Sequence, residues 1–323
     1  MVWGLFSKTR SVSRPEPANR QGWPPGLLAA LADLERLIAS RPELKAPGTV
    51  LARVLEVAFA RPVAPMIPPI RGNSVESAIG SIRMSWQEGQ PALHGALDFV
   101  DGAVLAERTL AICEAVRSGD SPAADSLHAI IKGQPERVVD LIKPALALSD
   151  DAFKEAVRAM GPELEPRQVD SVLRLALLPM VADWSRQICA QLTDDAWPHG
   201  ACPVCGSAPA LAEARGLEQR RHLRCDRCAG DWPCRHFLCP FCGTSDHRAL
   251  HYAYVEAEQD RHRLAICDNC GCRLKIVATI SPLSPPGLLV AELASIHLDL
   301  LEFPQPSSPG QTWSERNIGI NSC

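Results

Sequence analysis

Apolar positions recur three and four residues apart along most of the first 190 residues, and the pattern changes to short alternating runs after that. Leu27, Leu28, Leu31, Leu34, Leu37 and Ile38 mark one face of a helix that opens at Trp23-Pro24-Pro25 and ends at Pro42. A second helix is read over 48–60, with Val50, Leu51, Val54, Leu55 and Ala58 facing inward. Pro62, Pro65, Pro68 and Pro69 force an irregular connector, and Ser74 is placed to cap a helix near 75–86. The longest early helix is expected over 91–117, on Leu93, Leu97, Val100, Val104, Ala111 and Val116, with Gly95 and Gly102 as weak points and Gly119 as C-cap. Shorter helices follow at 121–132, at 135–147 and from Asp150 or Asp151 to Met160. The last stripe runs from Val169 to Leu192 within 166–192. Pro179 lies inside it, either kinking one helix or starting a second, and the pattern leaves both open.

After the linker Asp194–Gly200, short strands are read at 221–224, 250–255, 263–266 and 275–280. Pro282, Pro285 and Pro286 close that unit, and a C-terminal helix is read over 288–302, its apolar face needing the helical domain as partner. The expected division is a flexible arm at 1–22, a helical domain at 23–198, a metal-binding domain at 199–281, a C-terminal helix at 282–303 and a flexible tail at 304–323.

The chemistry is concentrated in 202–272, where ten of the 13 cysteines fall. Eight form four Cys-x-x-Cys pairs: Cys202/Cys205, Cys225/Cys228, Cys239/Cys242 and Cys267/Cys270. Two such turns supply four thiolates, enough for one tetrahedral ion. Nineteen residues separate the first two pairs and 24 the last two, and each gap suits a hairpin that returns the chain to the metal. The expected sets are therefore first with second and third with fourth, in adjacent sites; an interleaved pairing stays open. Cys202-Pro-Val-Cys205-Gly206 and Cys239-Pro-Phe-Cys242-Gly243 have the proline and glycine of a metal knuckle, in which backbone N–H groups point at sulfur. No pair is followed by His, which excludes covalent c-type haem. The ordinary readings of the remaining candidates are structural: Cys113 and Cys189 as buried thiols, His94 and His128 as helix residues, and Cys234, Cys272, His199, His222 and His236 as non-ligands.

Hydrophobic residues make up 46% of the chain, which permits a sizeable core, whereas the strand-rich unit has little apolar content and would depend on metal. A net charge of −4 gives no whole-chain case for nucleic acid, and Arg220, Arg221, Arg224 and Arg227 are read first as a solvated face. No signal-peptide or membrane-spanning run is present, so a soluble cytoplasmic protein with reduced thiols is expected. No phosphate-binding glycine loop, dinucleotide fingerprint or His-Glu-x-x-His motif occurs. A filled four-thiolate site has no open coordination position, so no enzymatic activity is expected.

The runs Cys202-Pro-Val-Cys205-Gly-Ser-Ala-Pro, Leu223-Arg-Cys225-Asp-Arg-Cys228-Ala-Gly-Asp231-Trp232, Cys239-Pro-Phe-Cys242 and Cys267-Asp-Asn-Cys270-Gly-Cys-Arg-Leu274-Lys275 resemble the formate dehydrogenase accessory protein (FdhE) family. The resemblance implies an α+β chain: a multihelical N-terminal domain, then a rubredoxin-like or zinc-ribbon region with two four-cysteine metal sites, then a C-terminal helix. It implies a cytoplasmic maturation factor that binds the catalytic subunit of a respiratory formate dehydrogenase. It carries the eight knuckle cysteines over as ligands of two metal ions, iron favoured and zinc the alternative. No nucleic-acid partner and no membrane insertion are expected. Two departures, Arg221-His222-Leu223-Arg224 in place of an aromatic-rich strand and Pro233-Cys234 after Trp232, are read as affecting surface contacts. Two other classes stay open, a zinc-ribbon regulator that binds nucleic acid and a rubredoxin-like electron carrier.

Overall fold

The computed structural model describes residues 20–61, 82–93, 101–117, 122–146, 150–190, 197, 199–301 and 321–322. The arm at 1–19, the proline connector, the Ser74 cap, His94 and most of the 302–323 tail lie outside the described residues.

The helical part comprises α1 (Pro25–Ser40), α2 (Lys45–Phe59), α3 (Gly102–Arg117), α4 (Pro122–Gly133), α5 (Val138–Leu146), α6 (Asp150–Met160) and α7 (Pro166–Cys189), with a short helical stretch at 82–87. Leu27, Leu31 and Leu34 of α1 are buried, as are all five residues read as inward on α2. α3 does not begin at 91. The Asp101 carboxylate accepts from the backbone N–H of Ala103 and Val104, which makes it the N-cap. Ala92 and Leu93 instead donate their backbone N–H groups to the carbonyls of Pro203 and Val204, both at 2.8 Å. The end of the 82–93 segment thus clasps the first cysteine turn.

Pro179 leaves α7 as one continuous helix of 24 residues. Proline removes one N–H from the ladder, and the neighbouring carbonyls need other donors. The carbonyl that loses its i+4 partner is that of Leu175; on the next residue, Arg108 of α3 donates Nε to the Ala176 carbonyl at 3.1 Å, and its Nη2 donates to the Ala58 carbonyl at 2.6 Å.

The C-terminal part is a sheet in the order β3-β2-β1-β6-β5-β4-β7, formed by β1 (Leu211–Arg215), β2 (Arg220–Arg224), β3 (Asp231–Pro233), β4 (Leu250–Ala253), β5 (His262–Cys267), β6 (Arg273–Thr279) and β7 (Asn321–Ser322). It is built twice from the same unit: cysteine turn, two antiparallel strands, cysteine turn, third strand. The units join through the one parallel pair among the described strands, β1 with β6, in register from Leu211↔Lys275 to Arg215↔Thr279. β1 and β3 were not expected from the sequence. β1 reads Leu-Ala-Glu-Ala-Arg, a helix-like composition whose strand conformation is set by its two neighbours. Asn321 and Ser322, in the stretch read as a flexible tail, pair with β4.

Helix α8 (Pro285–Ala294) starts three residues earlier than expected, with Ser284 Oγ accepting from Gly287 N–H, and a 3₁₀ turn at Ile296–Leu300 follows it. It is buried nearly all round because it sits between α1 and the sheet. Leu288 and Ala291 pack on Leu211 and Val277 on one sheet face. The other face carries a cross-strand row, Trp232, Leu223, Ala212 and Ile276, that merges with the helical core. The first sheet unit therefore takes its apolar partner from the helices as well as from its cysteines.

Candidate metal centres

The four cysteine turns are close copies of one another. In each, the first cysteine's N–H donates to a carbonyl five residues on: Cys202 to Ser207, Cys225 to Gly230, Cys239 to Thr244 and Cys267 to Cys272, at 2.8 to 3.0 Å. The residue after the second cysteine has positive φ in all four, 78° at Gly206, 58° at Ala229, 73° at Gly243 and 71° at Gly271. Glycine takes that conformation without a Cβ penalty. Ala229 is the exception, followed by a glycine with a different purpose. A Cβ on Gly230 would lie 2.7 Å from Cys202 Sγ and 3.3 Å from Cys228 Sγ, so the chain passes against the sulfurs where only hydrogen fits.

The turns bring the cysteines together in two groups of four. In the first, Cys202 Sγ lies 3.5 Å from Cys228 Sγ, and Cys205 Sγ lies 3.5 Å from Cys225 Sγ. In the second, Cys239 to Cys270 and Cys242 to Cys267 are both 3.7 Å. Four sulfurs each about 2.3 Å from one ion stand about 3.8 Å apart on the edges of a tetrahedron, whereas a disulfide bond is about 2.0 Å. Both groups fit a four-thiolate ion and neither is a disulfide. The sets are first with second turn and third with fourth; the interleaved arrangement does not occur. The Gly200 backbone packs on the third turn, where a Cβ would meet the Pro240 carbonyl oxygen at 1.5 Å.

The two groups differ in setting. All four sulfurs of the first are buried, so we call it the inner site. Ser185 Oγ of α7 donates to Cys228 Sγ at 3.6 Å, and Trp86 Nε1 donates to the Pro203 carbonyl at 2.9 Å. Within the second turn, Asp226 accepts from Arg174 of α7 at 2.7 Å, while Arg227 donates to Asp170 of α7 at 3.1 Å and to the Ala145 carbonyl of α5. Burial and the neighbouring thiols push Cys202 and Cys228 well above the ordinary thiol range, while hydrogen bonds from those same neighbours hold Cys205 well below it. Four such sulfurs ionise together only around a cation.

The second group, the outer site, has Cys239 and Cys267 buried but Cys242 and Cys270 exposed. Desolvation is the largest single influence on Cys242 and raises it, but the Asn269 Nδ2–H at 3.4 Å, the Thr244 N–H and nearby thiols together more than offset it and bring it down to about 6. Phe237 and Phe241 beside it are exposed.

Cys234 and Cys272 belong to neither group. Cys113 is fully buried, and burial pushes it up to about 12. Burial likewise raises Cys189 to about 12, and its Sγ accepts from Asp231 N–H at 3.4 Å, linking α7 to β3. His128 pairs with Glu114 at 3.2 Å, and His222 Nδ1 with Asp231 at 2.8 Å.

The arginine cluster is not a solvated face. Arg220 is exposed, but Arg221, Arg224 and Arg227 are buried. Arg221 donates to the carbonyls of Arg235, His236 and Leu238 between the two units. Arg224 pairs with Glu213, which is 0% exposed and also accepts from Arg215, Thr279 and the Leu283 N–H. Arg215 extends this network to Asp231, which burial would raise but His222, Arg224 and Arg215 hold at about 2. Of the departures read as affecting surface contacts, Arg221, Leu223 and Arg224 are thus interior, while His222, Pro233 and Cys234 are half-buried. Period-2 reading put Arg221 and Arg224 in a strand; nothing local showed that both faces of that strand would be covered.

A third set, Glu258, His262 and His297, also converges. His262 Nδ1 lies 2.8 Å and His297 Nε2 3.2 Å from Glu258 Oε2. Here the Arg41 guanidinium already supplies the positive charge, pairing with Glu258 and lying 3.1 Å from His297 Nδ1. With His297 Nδ1 accepting from Arg41, Nε2 carries the ring proton and offers no lone pair to a metal.

A multihelical part joined to a duplicated sheet unit with two four-cysteine centres defines the class, an α+β metal-binding protein. No family model matches the chain. Among known proteins, an FdhE homolog from Aquifex aeolicus is 29% identical over 157 residues, 46% of this chain and 53% of its own length. FdhE from Escherichia coli O127:H6 is 36% identical over 101 residues, 30% of this chain and 31% of its own length. The matched segments thus span about half or less of these curated relatives. The crystal structure of the FdhE protein from Pseudomonas aeruginosa superposes with a TM-score of 0.50 at 22% identity, covering 91% of this chain and 92% of that one, a likeness of fold. Over these segments the chain is similar to FdhE proteins, and its overall fold is like that of one of them.

Proposed function

We propose that this protein is a cytoplasmic, non-enzymatic accessory factor that binds the catalytic subunit of a respiratory formate dehydrogenase and supports its maturation. Cys202, Cys205, Cys225 and Cys228 hold one metal ion, and Cys239, Cys242, Cys267 and Cys270 hold a second. Iron is the metal proposed and zinc the alternative, since a sulfur tetrahedron accepts either. The observation carrying this reading is the convergence of all eight knuckle cysteines into two tetrahedron-sized groups in a chain similar to FdhE proteins. Among the described residues no helix is long and apolar enough to cross a membrane.

Affinity capture of the tagged full-length chain from cells grown to induce formate dehydrogenase tests the partner. Recovery of the catalytic subunit is expected, and loss of formate dehydrogenase activity on deleting the gene. Failure to recover that subunit, with activity unchanged in the deletion strain, would defeat the reading. The nucleic-acid alternative loses its main support, because three of the four clustered arginines that would face phosphates are buried and paired. Elemental analysis with a visible spectrum on anaerobically purified protein separates iron, with thiolate charge-transfer bands, from colourless zinc.

A further inference from the structure

The two centres are copies in topology but not in surroundings. The inner site lies where the sheet meets the helices, and both of its turns are tied to other elements. The 82–93 segment bonds to Pro203 and Val204, while α7 and α5 hold Asp226 and Arg227. Gly230 closes over Cys202 and Cys228 at a distance that leaves no room for an entering ligand atom. An external donor reaches these sulfurs only after local opening of the helix–sheet junction.

The outer site has none of this cover on one edge. Cys239 and Cys267 are buried, but Cys242 and Cys270, one from each turn, are exposed. The side-chain donor on that edge is Asn269, itself exposed, with Nδ2 3.4 Å from Cys242 Sγ.

We infer that the outer site is the exchangeable centre of the pair, open to ligand substitution along its Cys242–Cys270 edge, while the inner site is a permanent structural pin. The substitution is redox-neutral. One incoming nitrogen or thiolate donor bonds to the ion, the bond to Cys242 Sγ breaks, and Cys242 leaves as a thiolate stabilised by the Asn269 N–H until it takes a proton from solvent. The complementary ligand class is a small chelate or an external thiol presented by another molecule. The inference rests on the reading that eight cysteines hold two ions.

The test uses the full chain loaded with zinc alone, challenged with a colorimetric zinc chelator in excess. Two ions should leave in two phases of equal amplitude, the second at least about 100-fold slower because buried ligands wait for local opening. Cys242→Ser should remove the fast phase, leave one tightly held ion and preserve the helical circular dichroism signal. Cys205→Ser should remove the slow phase. Iodoacetamide labelling read by peptide mass spectrometry should modify Cys242 and Cys270 in step with the fast phase and spare Cys202, Cys205, Cys225 and Cys228. Release of both ions at one rate, or labelling of the inner cysteines as fast as Cys242, would overturn the inference. A wild-type content below two ions would instead defeat the eight-ligand reading itself, so the two failures are distinguishable.

Discussion

Glu292 lies on α8 where that helix is covered on every side. It is 2% exposed, and its Oε1 has no hydrogen-bond partner. Burial, with the nearby Asp226 carboxylate, raises it from 4.5 to about 7, against the opposing pull of Lys275 and Arg174. The folded state therefore holds a proton that the unfolded chain releases near 4.5, and stability falls as pH rises through that interval. A shift of about 2.5 pH units corresponds to a penalty on the order of 3 kcal/mol above pH 7, of which roughly 1 kcal/mol develops between pH 6 and pH 8. Glu292→Gln removes the titration. The amide brings a constant cost of about 1–3 kcal/mol if its N–H groups find no acceptor, so the absolute stability change is a poor readout. The pH slope is free of that cost. Urea unfolding of the metal-loaded protein at pH 6 and pH 8 should show the variant gaining about 1 kcal/mol on the wild type at the higher pH, provided m-values match. A wild-type-minus-variant difference that is the same at both pH values would refute the reasoning and mean that Glu292 does not titrate there.

Three further outcomes are expected. Arg224→Ala strands Glu213 with one cation fewer in a site closed to water, so a loss of about 3–5 kcal/mol in denaturant unfolding is expected, as for a broken buried ion pair; a loss under about 1 kcal/mol would mean water reaches Glu213. Gly230→Ala forces a methyl against Cys202 Sγ, so elemental analysis should find the inner ion depleted and the outer one retained, with overpacking destabilisation of about 1–3 kcal/mol; full occupancy of both sites would contradict the close approach. Arg108→Ala withdraws the donor shared by the Ala176 carbonyl of α7 and the Ala58 carbonyl at the end of α2 and should cost about 1–3 kcal/mol, read as a lower unfolding midpoint; an unchanged midpoint would mean that these bonds do not hold the helices together.

Much of the molecule was determined by the sequence alone, and the reason is that local spacing carried the information. The three-and-four periodicity of Leu27–Leu34 and Val50–Ala58 predicted α1 and α2 because one helix face must be buried whatever covers it. Cys-x-x-Cys spacing with Pro203, Gly206, Pro240 and Gly243 marked the turns because a two-residue knuckle aims both sulfurs at one point. Gap lengths of 19 and 24 residues matched first turn with second and third with fourth.

What only the tertiary structure decided depends on contacts distant in sequence. β1 looks helical until β2 and β6 pair with it, and the parallel β1–β6 junction that fuses the two units involves residues about 60 apart. Pro179 lies inside a continuous α7, and Arg108 of a different helix donates to the nearby Ala176 carbonyl. Arg221, Arg224 and Arg227 read as a basic surface and are interior, because their partners come from β1, α5, α7 and the 235–238 segment. The contrast between a sealed and an open cysteine centre has the same origin: the turns are nearly identical, and only the packing of α7 and the 82–93 segment on one of them removes it from water.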